Sequence, residues 1–477
     1  MKRKIKFAAI VALLITAVLV LVSCFEKDGE GSTYGLEFRL NDDEEGYTLV
    51  GIGECTESEI TVDAYKGLPV TRIGAAALSY SSAIRKVTLG ESVLEIEEHA
   101  FSNCRYLSDI TLPENLSEIG NYAFRNCASL ESINLPESVS EIADGTFMGC
   151  SRLKSVSLPA VRCIHKEAFR DCEALETVVF SDNLYTVEEL SFSGCNSLRE
   201  LVTPVSLVEI GDSAFFGCKG LEKIVLSEYV LSIGNKAFSN CTALEEISVH
   251  ADNEIYRVIS GALCTADGKE LIQYPLGNAQ TSFTVPESVR KIHSRAFSSA
   301  PTLKSVSLSK TETVGYEAFF AMPALAEVDF GMGLTFIDEN AFAFCDRLLE
   351  VVLPDSLKEI GKSAFWSCDA LSFADLGDGV EVMGEHAFMN CISLRTLIFP
   401  VSLTSIGEYA FWECTAMKTS YYTGSLSDFI KLSENAIGMG NYGLGNSKIC
   451  MYSETAPDKS SYSYYWYWGE NGEPVMW

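Results

Sequence analysis

Sixteen cysteines and five histidines are the side chains with the widest chemical scope in this 477-residue chain. Eleven thiols share one setting, each three residues after a recurring Phe. They are Cys104, Cys127, Cys150, Cys172, Cys195, Cys218, Cys241, Cys345, Cys368, Cys391 and Cys414. Such a series could form disulfides, hold metal or pack as small apolar groups. Disulfides fit poorly, because eleven is odd and identical residues at identical sites point the same way, not at each other. Free Cys is among the most buried residue types, so the expectation is a reduced, buried ladder. Ala300 and Met322 stand at the ladder position in two units, as an apolar packing role allows. A metal centre is not expected, because there is no C-x-x-C and no adjacent His.

Other chemistry finds little support. His99, His293 and His386 precede the recurring Phe, His165 falls near the same turn, and His250 is isolated. Spread along the chain, they do not converge. There is no G-x-S-x-G and no H-E-x-x-H. Acidic residues such as Glu118, Glu141, Glu209 and Glu359 fill solvent-facing repeat positions. Gly438-Met439-Gly440-Asn441-Tyr442-Gly443 matches G-x-G-x-x-G, but a dinucleotide site needs a preceding strand and a following helix. Gly445 opposes that helix, so the segment reads as a loop. The expectation is a protein without enzymatic activity, cofactor or metal.

The elements that carry these residues repeat. The Phe recurs at 101, 124, 147, 169, 192, 215 and 238, then at 297, 319, 342, 365, 388 and 411. The spacing within each run is 23, with two slips to 22. Leu78 lies 23 before Phe101 and reads as a degenerate first copy. One unit, LESINLPESVSEIADGTFMGCSRL, has the apolar skeleton Leu130, Ile133, Leu135, Val139, Ile142 and Phe147.

That skeleton is a leucine-rich repeat, one coil of a solenoid per unit. The I-x-L alternation makes a short strand with apolar residues inward. Pro113, Pro136, Pro159, Pro204, Pro354 and Pro400 stop such strands, since Pro donates no ladder hydrogen bond. The I-G-x-x-A-F segment returns the chain along the other side. No coil buries its apolar face alone; the core exists because neighbours stack. The expected fold is a mostly β repeat solenoid of about 15 coils, with turns or short 3₁₀ segments on the return side and a cap at each end.

The unit L-x-x-I-x-L-P-x-S-V-x-x-I-G-x-x-A-F-x-x-C resembles the BspA-type leucine-rich repeats of bacterial surface proteins, over roughly residues 34 to 477. The resemblance implies an exported or surface-anchored protein. Some members resemble adhesins for host matrix proteins or other microbes, and many have no assigned ligand.

The N-terminus reads as a targeting segment. Lys2, Arg3, Lys4 and Lys6 precede an apolar stretch from Phe7 to Val22. That is the pattern of a secretory signal peptide, and the stretch is short for a membrane span. Leu21-Val22-Ser23-Cys24 resembles the lipobox of bacterial lipoproteins. The resemblance implies a lipid on Cys24, removal of residues 1–23, and a chain held at the bacterial cell membrane facing outside the cytoplasm. Removing four cations would take the net charge from −29 to −33.

The remaining boundaries follow from the repeat. Residues 24–33 read as a tether and 34–66 as an N-terminal hairpin cap. The solenoid runs over 67–417, and 418–477 form an aromatic-rich C-terminal cap. Phe238 to Phe297 spans 59 residues, so about 250–285 is one irregular coil carrying a β-hairpin at Asp267-Gly268. Tyr464 to Trp468 and Pro474 to Trp477 flank Asn471-Gly472, a second hairpin signal. The tail aromatics could cover the end of the core or stack on sugar rings.

A net charge of −29 repels phosphates and anionic headgroups, which sets nucleic acid aside as a partner. Three functions remain. The first is a surface protein binding an extracellular protein or polysaccharide. The second is a structural or spacer envelope lipoprotein. The third is carbohydrate binding or hydrolysis by the tail. Residues flanking the inward strand position are mostly small, hydroxylated or acidic. Val179, Val202 and Val225 depart from this in three consecutive coils, bordered by Glu200 and Lys223. Val suits an exposed strand anyway, but the row could also be an apolar floor for a protein contact. Phe373 and Ile398 form a second candidate spot.

Overall fold

The computed structural model describes residues 31–435, 437–455, 464–469 and 474–476. Residues 1–23, read above as a signal peptide, Cys24 and the Asn471-Gly472 turn lie outside the described residues. The protein is a β-solenoid of about 16 turns, mostly strand with very few helices. It divides into two compact units, Met1–Val161 and Arg162–Trp477.

In the first unit, Glu37–Leu40 and Tyr47–Gly51 form the expected antiparallel hairpin, with Leu40 opposite Tyr47. The second hairpin strand then pairs parallel with Leu68–Ile73, which pairs with Glu95–Ile96 and so into the return-side sheet. Glu59–Val62 already joins the front ladder beside Lys86–Leu89, so parallel stacking begins before residue 67. Phe101 and Phe124 stack at 5.1 Å, and Phe124 and Phe147 at 5.5 Å, all fully buried.

In the second unit an equivalent stack runs through Phe169, Phe192, Phe215 and Phe238, with centroids 5.1, 5.2 and 5.8 Å apart. Tyr274 opens the next run, 5.0 Å from Phe297 and 23 residues before it. The irregular coil therefore keeps the repeat by replacing Phe with Tyr. Its insertion is a three-stranded antiparallel meander, Tyr256–Ile259, Ala262–Thr265 and Glu270–Gln273. That is one strand more than the expected hairpin, because Ser260-Gly261, both at positive φ, makes a second turn.

The return side holds turns and no 3₁₀ helix among the described residues. It also holds a second parallel sheet built from two-residue strands. Thr186–Val187, Glu209–Ile210 and Ser232–Ile233 are successive members. Gly211, next to that strand, sits where a Cβ would meet the preceding coil's Glu188 carbonyl carbon at 2.7 Å. The turns that follow satisfy their backbone in alternation. The amides of Ser213, Phe215 and Gly217 donate to Asn235, Ala237 and Ser239 of the next coil. Those of Ala214, Phe216 and Cys218 close local turns. This meets the requirement that buried amides find partners without an extended strand. It places the residues two before and two after Phe in the left-handed region, as at Lys236 (φ 60°) and Asn240 (φ 61°).

The C-terminal segment departs most from expectation. A helix, Leu426–Asn435, lies within the aromatic-rich cap segment, for which no helix was expected. A five-residue helix, Tyr442–Asn446, runs through Gly443 and Gly445, so Gly445 does not prevent it. Burial of Leu444 and a buried Asn441 overcome the glycine penalty. Asn441 Nδ2 donates to the carbonyls of Gly407 and Gly438, and its Oδ1 accepts the Phe411 amide. The G-x-G-x-x-G segment thus clamps the last coil through its polar centre. The tail hairpin forms, with Trp466 opposite Met476.

Candidate binding face

The proposed face lies on the front ladder of the second unit. Glu200–Val202, Lys223–Leu226 and Glu246–Val249 are adjacent parallel strands. Their pairing puts Val202 beside Val225 and Glu200 beside Lys223. Val202 is 52% exposed, while Val225 is half-buried. Lys223 Nζ lies 3.9 Å from Glu200 and 3.7 Å from Glu246, so one cation stands between two carboxylates on neighbouring strands. Such exposed pairs contribute about 0–1 kcal/mol each and chiefly set charge pattern.

Val179 is 63% exposed. Its strand, Thr177–Val179, does not join the ladder of Glu200–Val202. The expected row of three is therefore a register pair plus one valine on a strand outside that ladder. Other lapses follow Asp109–Thr111 in the first unit and Glu327–Asp329 in the second. Phe180-Ser181 and Phe330-Gly331 follow two of these strands, but Leu112-Pro113 follows Asp109–Thr111, so loss of Leu-Pro does not account for the breaks. Phe180 packs edge-on to Phe192 and Phe330 to Phe342.

The same coils expose apolar residues that sequence reasoning missed. Tyr185, Val205, Tyr229 and Leu231 are all exposed. Val208 lies between Tyr185 and Leu231 in the backbone ladder, its amide on the Tyr185 carbonyl and its own carbonyl taking the Leu231 amide. The signal lay in reading one repeat column across coils rather than one strand position along each.

The second candidate spot is not a free surface at both residues. Phe373 is half-buried, but Ile398 is only 2% exposed. Ile398, Cys450 and Trp466 form a small separate core, with Phe373, Tyr421 and Tyr452 against it. Trp466 Nε1 donates to the Tyr422 carbonyl at 3.1 Å. The tail aromatics therefore fold onto the outward side of the last strands. Of this cluster, Trp466 is fully buried, while Tyr464 and Trp468 keep exposed faces.

Fifteen cysteines, among the described residues, are free thiols. Burial pushes the Cys150, Cys218 and Cys345 thiols up to about 12. Cys163 stands apart from the ladder, half-buried on the strand Cys163–Ile164. It meets His165 and Glu188 in one of two groups with metal-ligand spacing among the described residues; the other is Glu228, His250 and Asp252. The first escaped the sequence reading because Glu188 is one coil, 23 residues, beyond His165.

The family model described as "BspA type Leucine rich repeat region (6 copies)" matches residues 71–172, 162–262, 277–382 and 358–436. No curated protein matches the chain. Among solved structures, a leucine rich cell surface protein from Faecalibacterium prausnitzii A2-165 is 27% identical. The match covers 85% of this chain and 97% of that one, with a TM-score of 0.59. A leucine-rich repeat protein from Eubacterium ventriosum is 23% identical over 72% of this chain and 87% of that one, with a TM-score of 0.61. The pneumococcal vaccine antigen PcpA is 19% identical over 85% and 97%, with a TM-score of 0.54. These last two share the fold alone. No helix among the described residues is long and apolar enough to cross a membrane.

Proposed function

This chain belongs to the BspA-type leucine-rich repeat family, and from that premise we propose that it is a non-enzymatic binding protein displayed outside the cytoplasm. The lipid on Cys24 is its membrane anchor. Its partner is an extracellular protein, bound at the face that carries Val179, Val202 and Val225 with Glu200 and Lys223. One observation supports this above the rest. Consecutive coils expose Val179, Tyr185, Val202, Val205, Tyr229 and Leu231. Interface cores are enriched in aromatic and depleted in charged residues, and clustered exposed apolar groups mark such sites.

The reading is tested by replacing the three valines with Asp together. Extracts of host matrix and of microbial surfaces are passed over the wild-type and triple-variant chains. Retained proteins should be lost from the variant while circular dichroism stays unchanged. Equal retention by a folded triple variant places the contact elsewhere.

A further inference from the structure

We propose that Cys163, His165 and Glu188 form a zinc site on the return side of the second unit. Cys163 Sγ lies 3.7 Å from His165 Nδ1 and 3.7 Å from Glu188 Oε1, and the latter two are 3.1 Å apart. Tetrahedral zinc with bonds of about 2.3 Å to sulfur and about 2.0–2.1 Å to nitrogen and oxygen separates its ligands by about 3.6 Å for sulfur and about 3.3 Å for the N–O edge. The three side chains already stand near three corners of that tetrahedron. Cys163–Ile164 and Thr186–Val187 are register partners, so the backbone ladder holds the donors in place.

The residue types fit a divalent cation. Thiolate and carboxylate bring two negative charges, and imidazole brings a neutral nitrogen. Soft sulfur with imidazole selects zinc over magnesium or calcium. Lys166, the nearest lysine in sequence, is engaged with Glu189 at 2.8 Å. A second His-carboxylate pair in this unit shows the contrast. His293 meets Glu270, and Lys291 stands two residues before that histidine, 3.6 Å from the same carboxylate. There a lysine supplies the cation. At the first pair a cysteine takes the position that is Lys291 in the other, and a thiolate calls for a metal instead. Other coils place Glu95, Glu118, Thr186 or Glu209 there, so the thiol is not required by packing. His165 and Glu188 side chains are 30% and 38% exposed, which leaves the fourth position open to water.

Cobalt(II) titration of the reduced, chelator-stripped full chain tests the site. One equivalent should bind with a near-ultraviolet thiolate-to-cobalt band and tetrahedral visible bands, and zinc should displace it. Cys163→Ser should abolish the near-ultraviolet band. His165→Ala and Glu188→Gln should each weaken binding at least about tenfold. Zinc should raise the melting temperature of the wild type and of none of these variants. No thiolate band, or a band that persists in Cys163→Ser, overturns the assignment. So does metal binding that survives Cys163→Ser and disappears in His250→Ala, which would place the ion at the other cluster.

Discussion

The thiol of Cys218 donates to the carbonyl oxygen of Phe192, one coil back, at 3.1 Å. The same bond recurs from Cys195 to Phe169, from Cys241 to Phe215 and from Cys391 to Phe365. Each ladder cysteine is thus more than a small apolar filler. Its weak S–H donor gives the preceding Phe carbonyl a second partner inside the core, and its sulfur packs beside the Phe stack.

These thiols make stability sensitive to alkali. Burial holds them protonated, Cys150, Cys218 and Cys345 up to about 12, against 9.0 for an exposed thiol. The unfolded chain ionises first, so the contribution is complete below pH 9 and is lost as pH rises from 9 toward 12. Each thiol removes about 1.4 kcal/mol per pH unit in that window. Melting temperature should fall steeply above pH 9, and Cys218→Ala should make the slope shallower. At pH 8 the native chain should show few reactive thiols. A flat profile to pH 10.5, or mass shifts for five or more disulfides, would sink the reduced-ladder account.

Phe215 stacks between Phe192 at 5.2 Å and Phe238 at 5.8 Å. Phe215→Ala should cost about 3–5 kcal/mol in a denaturant melt. The loss should concentrate in adjacent coils, because each coil touches only its neighbours. A change under about 1 kcal/mol contradicts the stacking as a source of stability.

Trp466 is the lid over Ile398 and Cys450. Trp466→Ala should make Cys450 reactive toward thiol reagents and speed amide exchange across Lys448–Tyr452, leaving the Phe stack protected. If Cys450 stays as protected as in the wild type, something other than the hairpin covers it.

Cys24→Ser should release the protein from the membrane fraction or leave it unprocessed. Cell fractionation with an antibody to the solenoid reads this directly. A variant that partitions like the wild type means that the anchor is not on Cys24.

The fold was legible because a solenoid repeats one local solution. The 23-residue period, the Phe and Cys columns and the terminal hairpins recur often enough that each unit confirms the next. Stacked parallel coils also turn sequence offset into register, so Glu200 opposite Lys223 and Val202 opposite Val225 could be read directly. What tertiary structure decided lies between coils or across them. The two-residue return strands are too short to show alternation. The acceptors of ladder thiols such as Cys195, Cys218 and Cys241 are carbonyls 26 residues earlier. Thr177–Val179 lies outside the ladder of Glu200–Val202, a break that strand parity does not show. Ile398 has the outward parity of an exposed residue, yet Trp466, 68 residues later, returns to bury it. Local pattern fixes which way a side chain points; only the folded chain decides what meets it there.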